Sequence, residues 1–509
     1  MFEFNSKILN YSVFSSFEFS NLQSDIIEHF LESVEDDVKQ VIHTIKICHC
    51  EITDAPEVII NDYPNLETLD LQDNNLDNIN FISKLPNSIK ELYLGQNKIS
   101  TVSDVFFNLK DLEVVDLSGC DIESLNFMVF KDNGKLLVLN VSHNKIESSE
   151  SEEYLKNIKC VDFSYNKLTK YSNIPSLCLD FSYTNLSGYH WFNISAENQT
   201  VLIEKFYFSG NSRLKLRATN IKNDSLPLVI KFFNISNFQG DVSDLELENV
   251  KVRKYLSLKD SKKVILDKST FDFKLLFFSE GTNATFDLSN CSIDDIPNNY
   301  FEEYNLGRLN LCYNNFPNLK ENLFKNAYIV ELDLCKSNIK DVDNNTFSGL
   351  HVHLLNLSKN KLQNLTFLKS IETVRFVDLS ENNIKILTPN QFFNIKNLEV
   401  LELSNNEIIS LEKNVFNNNL QVLKLNGNKI SEIKNGTFYK LTNLRELYLD
   451  DNPIIFVDNN AFENLPILEV LSMATTEVYV LKPYAIKNVN SLKKVYFKAT
   501  VSIWKILME

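Results

Sequence analysis

The sequence predicts an α/β solenoid: a curved coil of about 20 short repeats whose strands line a concave, parallel β-sheet. Three observations carry this expectation. The pattern L-x-x-L-x-L-x-x-N-x-L recurs along most of the chain, most clearly in LEVLELSNNEI from Leu398 and LRELYLDDNPI from Leu444. Its Asn position, or a small substitute, returns from Cys50 to Thr500 at a mean interval of about 24 residues, inside the 20–29 window of such repeats. A second half follows each strand with apolar residues three apart, as in Phe438, Leu441, Leu444 and Leu447.

Composition agrees with a folded repeat. Apolar residues make up 44% and charged residues 23% of the 509, which excludes a disordered chain. Asn is used 66 times and Phe 37 times, against 11 Gly, 11 Pro and 2 Trp. The formal charge of −16 counts against a nucleic-acid partner, which would call for a basic face. MFEFNSKILN opens the chain with neither a basic n-region nor an apolar h-region, so no signal peptide is expected. No apolar stretch reaches the length of a membrane span.

Residues 1–41 are expected to form a helical cap. SDIIEHFLESVEDDVKQV has helical periodicity, with Ile26, Ile27, Phe30, Leu31 and Val34 on one side and Ser24 placed to cap it. The helix is expected to cover the edge of the first strand, IHTIKI. Residues 42–502 form the solenoid. Its spacing holds near 22–24 up to Asn166, spreads between 18 and 30 up to Cys291, and then recovers. The irregular part, about 167–291, includes SGYHWFNISAENQT with Trp191, and inserted loops of this kind often carry binding. Residues 503–509 read as an uncapped end, as a truncation would leave.

Within a repeat, Leu401 and Leu403 are two apart and share one side of a strand, leaving Glu402 on the other. The Asn turns inward, where its amide bonds backbone groups that would otherwise be buried without partners. The Phe residues of the second half are a core filler. The outward position between paired core residues holds Asp70, Tyr93, Asp116, Asp162, Asp180, Tyr207, Asp287, Asp333, Asp378, Glu402, Tyr448 and Tyr496, which with Trp191 form the candidate binding surface. So dense an acidic stripe should attract a cationic partner, and Tyr is a good interface residue.

Cys50, Cys120 and Cys291 occupy Asn positions and read as buried thiols. Cys160 and Cys178 share one column on neighbouring strands, as do Cys312 and Cys335. Parallel strands lie about 4.8 Å apart, so two disulfides are expected. Cys48, His49 and Cys50 resemble half a metal site without the other half. No HExxH, GxSxG, P-loop or GxGxxG is present, so neither enzyme nor cofactor is expected. Acceptor sequons for N-glycosylation include Asn140, Asn185, Asn193, Asn198, Asn223, Asn283, Asn344, Asn356, Asn364 and Asn435.

The full repeat, with its Phe-x-x-Leu second half, resembles the typical class of leucine-rich repeats. It is similar to the ectodomains of Toll and Toll-like receptors and to chaoptin-like adhesion proteins. The resemblance covers about residues 42–502 and carries over only scaffold: the Leu pairs, the Asn rungs and the Phe filler. It implies a leucine-rich-repeat horseshoe and a non-enzymatic module that recognises a protein or glycan ligand. It also implies an extracellular or cell-surface glycoprotein of receptor or adhesion type, as in innate immunity, able to form a homodimer through the solenoid flank. The alternative is an intracellular, cytoplasmic scaffold or adaptor, which the missing signal peptide favours.

Overall fold

A computed structural model describes residues 15–499 except 151–153, 155–157, 170–176, 185, 187–191, 197–200, 221–226, 270, 278–282, 483, 487–488 and 490. The described chain divides into two compact units, one running to Val252 and the other from Arg253, with Asp241–Ser243 belonging to the second. Each is a parallel β-solenoid with little helix, as the leucine-rich-repeat class requires. Among the described residues no helix is long and apolar enough to cross a membrane.

The repeat unit is a strand of about three residues. Val400–Glu402 pairs with Val422–Lys424 in parallel, Leu401 opposite Leu423 and Glu402 opposite Lys424. Leu401 and Leu403 are fully buried, whereas Glu402 lies half-buried on the outer face. Side-chain direction within the strand is therefore the one the alternation demands. The Asn rungs hold the turn that follows. Asn406 Nδ2 donates to the carbonyls of Leu379 (2.9 Å), Leu403 (3.0 Å) and Ser404 (3.3 Å), and its Oδ1 accepts from Ile384 N–H (3.1 Å). One side chain thus serves groups of two repeats, which explains why Asn recurs where no side chain of similar size has both functions. On the far side, Phe301, Phe324 and Phe347 stack with centroids 5.5 and 5.6 Å apart and rings within 8° of parallel.

The N-terminal segment departs from expectation. A strand, Ser16–Ser20, comes before the helix Ser24–Ser33 and pairs in parallel with Thr44–Cys48. The edge of the first expected strand is thus covered by another strand. A helix has no free ladder groups to offer such an edge, whereas a strand satisfies it. The helix packs beside them: Ile27 and Leu31 are buried, and Phe30 meets Phe17 and Phe19 at 5.5 and 5.4 Å. Ile26 is exposed, and Ser24 does not cap the helix, because Gln23 precedes it and no side-chain cap forms. Lys39 is buried, with its ammonium 3.0 Å from Asp62.

The irregular stretch of the first unit has longer strands. Val201–Tyr207 and Leu228–Asn234 pair over seven residues, Tyr207 opposite Asn234. Here the far side is a second parallel sheet, Phe192–Ala196, Leu214–Asn220 and Leu245–Glu248. The interior is aromatic: Phe206 contacts Phe181, Phe208 and Phe233 at 5.6–6.3 Å.

Candidate functional site

The outward positions form register columns within each unit. In the first, Asp70, Tyr93, Asp116, Asn140, Asp162, Asp180 and Tyr207 lie side by side. In the second, Asp287, Asn310, Asp333, Asn356, Asp378, Glu402, Lys424, Tyr448, Ser472 and Tyr496 do so. Trp191 lies outside the described residues.

The acids of these columns are largely occupied. Asp116, Asp162 and Asp180 each accept the backbone N–H two residues on, from Ser118, Ser164 and Ser182, at 2.8 Å. Asp287 and Asp378 do the same with Ser289 (3.0 Å) and Ser380 (2.9 Å). Asn140 and Asn356 make the identical bond to Ser142 and Ser358. Asp and Asn recur at this position because a short side chain with an oxygen at its tip closes the turn leaving the strand. The acidic stripe is thus in good part a set of turn caps. Burial pushes the Asp180 carboxyl up to about 6, against the pull of its Ser182 bonds, and Asp378 is raised for the same reason.

Two members depart from the open stripe expected of them. Asp333 is buried, because Arg308 folds over it with Nε 2.8 Å from Oδ2, while Asn356 Nδ2 reaches Oδ1 at 3.1 Å. Glu402 is mostly covered by Lys424, whose ammonium is 2.8 Å away. The cations expected of a partner are partly supplied by the chain.

Around Asp333 the outer face of the second unit sinks into a hollow of about 510 Å³. Asp287, Arg308, Asn310 and Asn356 line it, and Lys259, Asp260 and Tyr313 stand around them. Lys336 lies 4.8 Å over the Tyr313 ring. Cys312 and Cys335 join here in a disulfide with Cα atoms 4.6 Å apart. The expected bond between Cys160 and Cys178 is not formed: the two stand in register as free thiols. Cys50, Cys120 and Cys291 are buried free thiols.

Arg308 was invisible as a site residue, since its role depends on where the neighbouring strand places Asp333. Tyr165 and Tyr183 were missed as well. They stack on each other at 4.6 Å, and His143 stacks on Tyr165 at 4.2 Å, all three at φ near +54°. Each directly precedes an Asn or Thr rung, so an aromatic recurring at that place was a readable signal. Tyr183 lies flat over Gly210, where an added Cβ would fall 2.3 Å from its ring.

The sequons divide by environment. Asn283, Asn344, Asn364 and Asn435 are exposed, whereas Asn140 and Asn356 are half-buried and hydrogen-bonded in the columns. Asn185, Asn198 and Asn223 lie outside the described residues, as does the side chain of Asn193. Among the described residues no group of three His, Cys, Asp or Glu is placed to hold a metal ion.

This is the architecture of a leucine-rich-repeat solenoid. Residues 396–454 and 418–478 match the leucine rich repeat family, and residues 242–353 match the BspA type leucine rich repeat region. In fold the chain is similar to a chain of the Drosophila Toll–Spatzle complex in its glycosylated form, with TM-score 0.53 and 17% identity over 96% of this chain and 61% of that one. It also matches the TLR13–ssRNA13 complex, with TM-score 0.46 and 20% identity over 95% of this chain and 72% of that one. A Leptospira interrogans leucine-rich-repeat protein matches with TM-score 0.44 and 16% identity over 94% and 99%.

Proposed function

We propose that the chain is an extracellular recognition module of receptor or adhesion type, binding a protein partner across the outer face of its sheets. The hollow over Asp333 carries this reading. It combines a broad parallel-sheet surface with a charged recess that has Tyr313 beside it, the mixture that protein interfaces use for anchoring. Likeness of fold to a chain of the Toll–Spatzle complex supports it. A glycan ligand is the variant of this reading that the same recess would serve through its hydroxyl, amide and carboxylate groups.

Two experiments test it. The full chain secreted from insect cells should shift on glycosidase treatment, with glycans on Asn344, Asn364 and Asn435, away from the columns. No shift, together with eight alkylatable thiols, would favour the intracellular scaffold. Immobilised chain should retain an extracellular protein that is lost with Asp287→Lys or Tyr313→Ala but kept with Asn364→Gln. Equal retention by all variants would remove the hollow from the interface.

A further inference from the structure

We propose that Cys160 and Cys178 form a dithiol–disulfide modification site on the outer face of the first unit, oxidised by a small disulfide of the glutathione class. Three observations place it there. Cys160 stands directly opposite Cys178, and the register continues with Val161 opposite Leu179 and Asp162 opposite Asp180. Both thiols are half-buried, so they are neither sealed in the core nor dispersed in water. Burial and the neighbouring Cys160 thiol together push the Cys178 thiol up, as expected of two thiols side by side.

The second unit shows that this arrangement can close. Cys312 and Cys335 also occupy one column of neighbouring parallel strands, 4.6 Å apart at Cα, and are bonded. In-register parallel neighbours lie about 4.8 Å apart, inside the Cα range of disulfides, so closure at 160 and 178 needs side-chain rotation and no shift of backbone. The core cysteines cannot follow. Cys50, Cys120 and Cys291 are buried and donate to the carbonyls of Cys48, Leu94 and Leu258, with rung neighbours such as Asn74, Asn97 and Asn314 in place of a second Cys.

The chemistry is two thiol–disulfide exchanges. A thiolate of one cysteine attacks oxidised glutathione, forming a mixed disulfide and releasing one glutathione thiol. The thiolate of the other attacks the protein sulfur of that mixed disulfide, forming the Cys160–Cys178 bond and releasing the second glutathione. Two protons leave the protein thiols, and two electrons reduce the glutathione disulfide. Lys205 stands beside Cys178 in the same column and favours its thiolate, but burial pushes this thiol up to about 12, so exchange is slow at neutral pH. The closed bond would tie the two strands beside Asp162 and Asp180, so the state of this face would follow its oxidation.

The test uses the full chain, held in mildly alkaline glutathione buffers from reducing to oxidising, quenched by alkylation and digested for mass spectrometry. Oxidising buffer should yield one peptide pair linked through Cys160 and Cys178, with loss of both alkylated peptides. Two alkylated cysteines, or a stable glutathione adduct on each, would overturn the proposal. Cys160→Ser should carry glutathione on Cys178 and form no cross-link, while a bond from Cys178 to any other cysteine would refute the pairing. Should that variant not fold, phenylarsine oxide on the reduced wild-type chain serves instead. Bridging must protect both cysteines from alkylation together, and protection of neither or of one counts against the site.

Discussion

The second unit from Thr285 to Leu481 and the first unit from Cys178 to Val252 solve one problem in two ways. In the second, polar rungs knit each turn to the next. Asn360, Asn382, Asn406, Asn428 and Asn452 are buried, and each donates to carbonyls of its own and the preceding repeat. Rings stack nearly parallel behind them, as Phe438 does on Phe462 at 5.7 Å. In the first unit the rungs are Thr184, Asn211 and Phe238, and Phe238 has no side-chain donor or acceptor at all. There the far-side backbone pairs within the second sheet, and Phe206 stacks on Phe208 but lies steeply against Phe181 and Phe233. A solenoid turn needs its buried backbone groups satisfied, and either an amide ladder or a strand ladder will do so.

The largest effect should come from emptying the stacks. Phe324→Ala removes a ring held between two others and should cost about 4 kcal/mol, whereas Phe206→Ala, in the tilted cluster, should relax to about 3 kcal/mol. Urea unfolding of each variant measures this, and a larger loss at Phe206 would break the comparison. Next is the ladder. Asn406→Leu strands three carbonyls and the Ile384 N–H and should cost about 3 kcal/mol, with faster hydrogen exchange at Ile384. Thr184→Val loses one bond to Phe181 O and one to Asn211, and about 1 kcal/mol should follow.

The third effect has the opposite sign. An Asp raised to about 6 in the folded state, against about 4 unfolded, binds its proton more tightly when folded. Unfolding free energy therefore falls as pH rises between those values, and the penalty persists above them. Asp180→Asn keeps the acceptor for Ser182 and should stabilise the first unit by about 2 kcal/mol at neutral pH, with no gain in acid. Asp378→Asn should gain less, because burial raises that carboxyl by a smaller margin. Thermal melts at both pH values decide it, and a gain for Asp180→Asn that persists in acid would refute the assignment. The smallest effect belongs to the exposed pairs. Arg375→Ala breaks two bonds to Glu399 (3.0 and 2.9 Å) and should shift stability by no more than about 0.5 kcal/mol. A melt shifted as far as that of Asn406→Leu would mean that flank pairs, not rungs, join the repeats.

How far the fold could be read depends on range. Leu401, Leu403 and Asn406 declare their directions through spacing, since a strand alternates sides and a turn needs its amide. The strand Ser16–Ser20 gave no such signal, because FEFS becomes a strand only by meeting Thr44–Cys48 across an intervening helix. The candidate site was legible as columns and not as chemistry. Asp162 and Asp180 could be placed on the outer face, but their engagement with Ser164 and Ser182 N–H depends on how the turn folds back. Tyr165 and Tyr183 were legible in principle from their place before each rung.

Repetition by itself determined the class of this protein, the inward set and the outward set, because period and alternation are local properties of a chain. Tertiary structure alone decided which outward groups remain available. Whether Arg308 covers Asp333, or Cys312 bonds Cys335 while Cys160 and Cys178 stand as free thiols, turns on distances between side chains of neighbouring turns, which no spacing along the chain encodes.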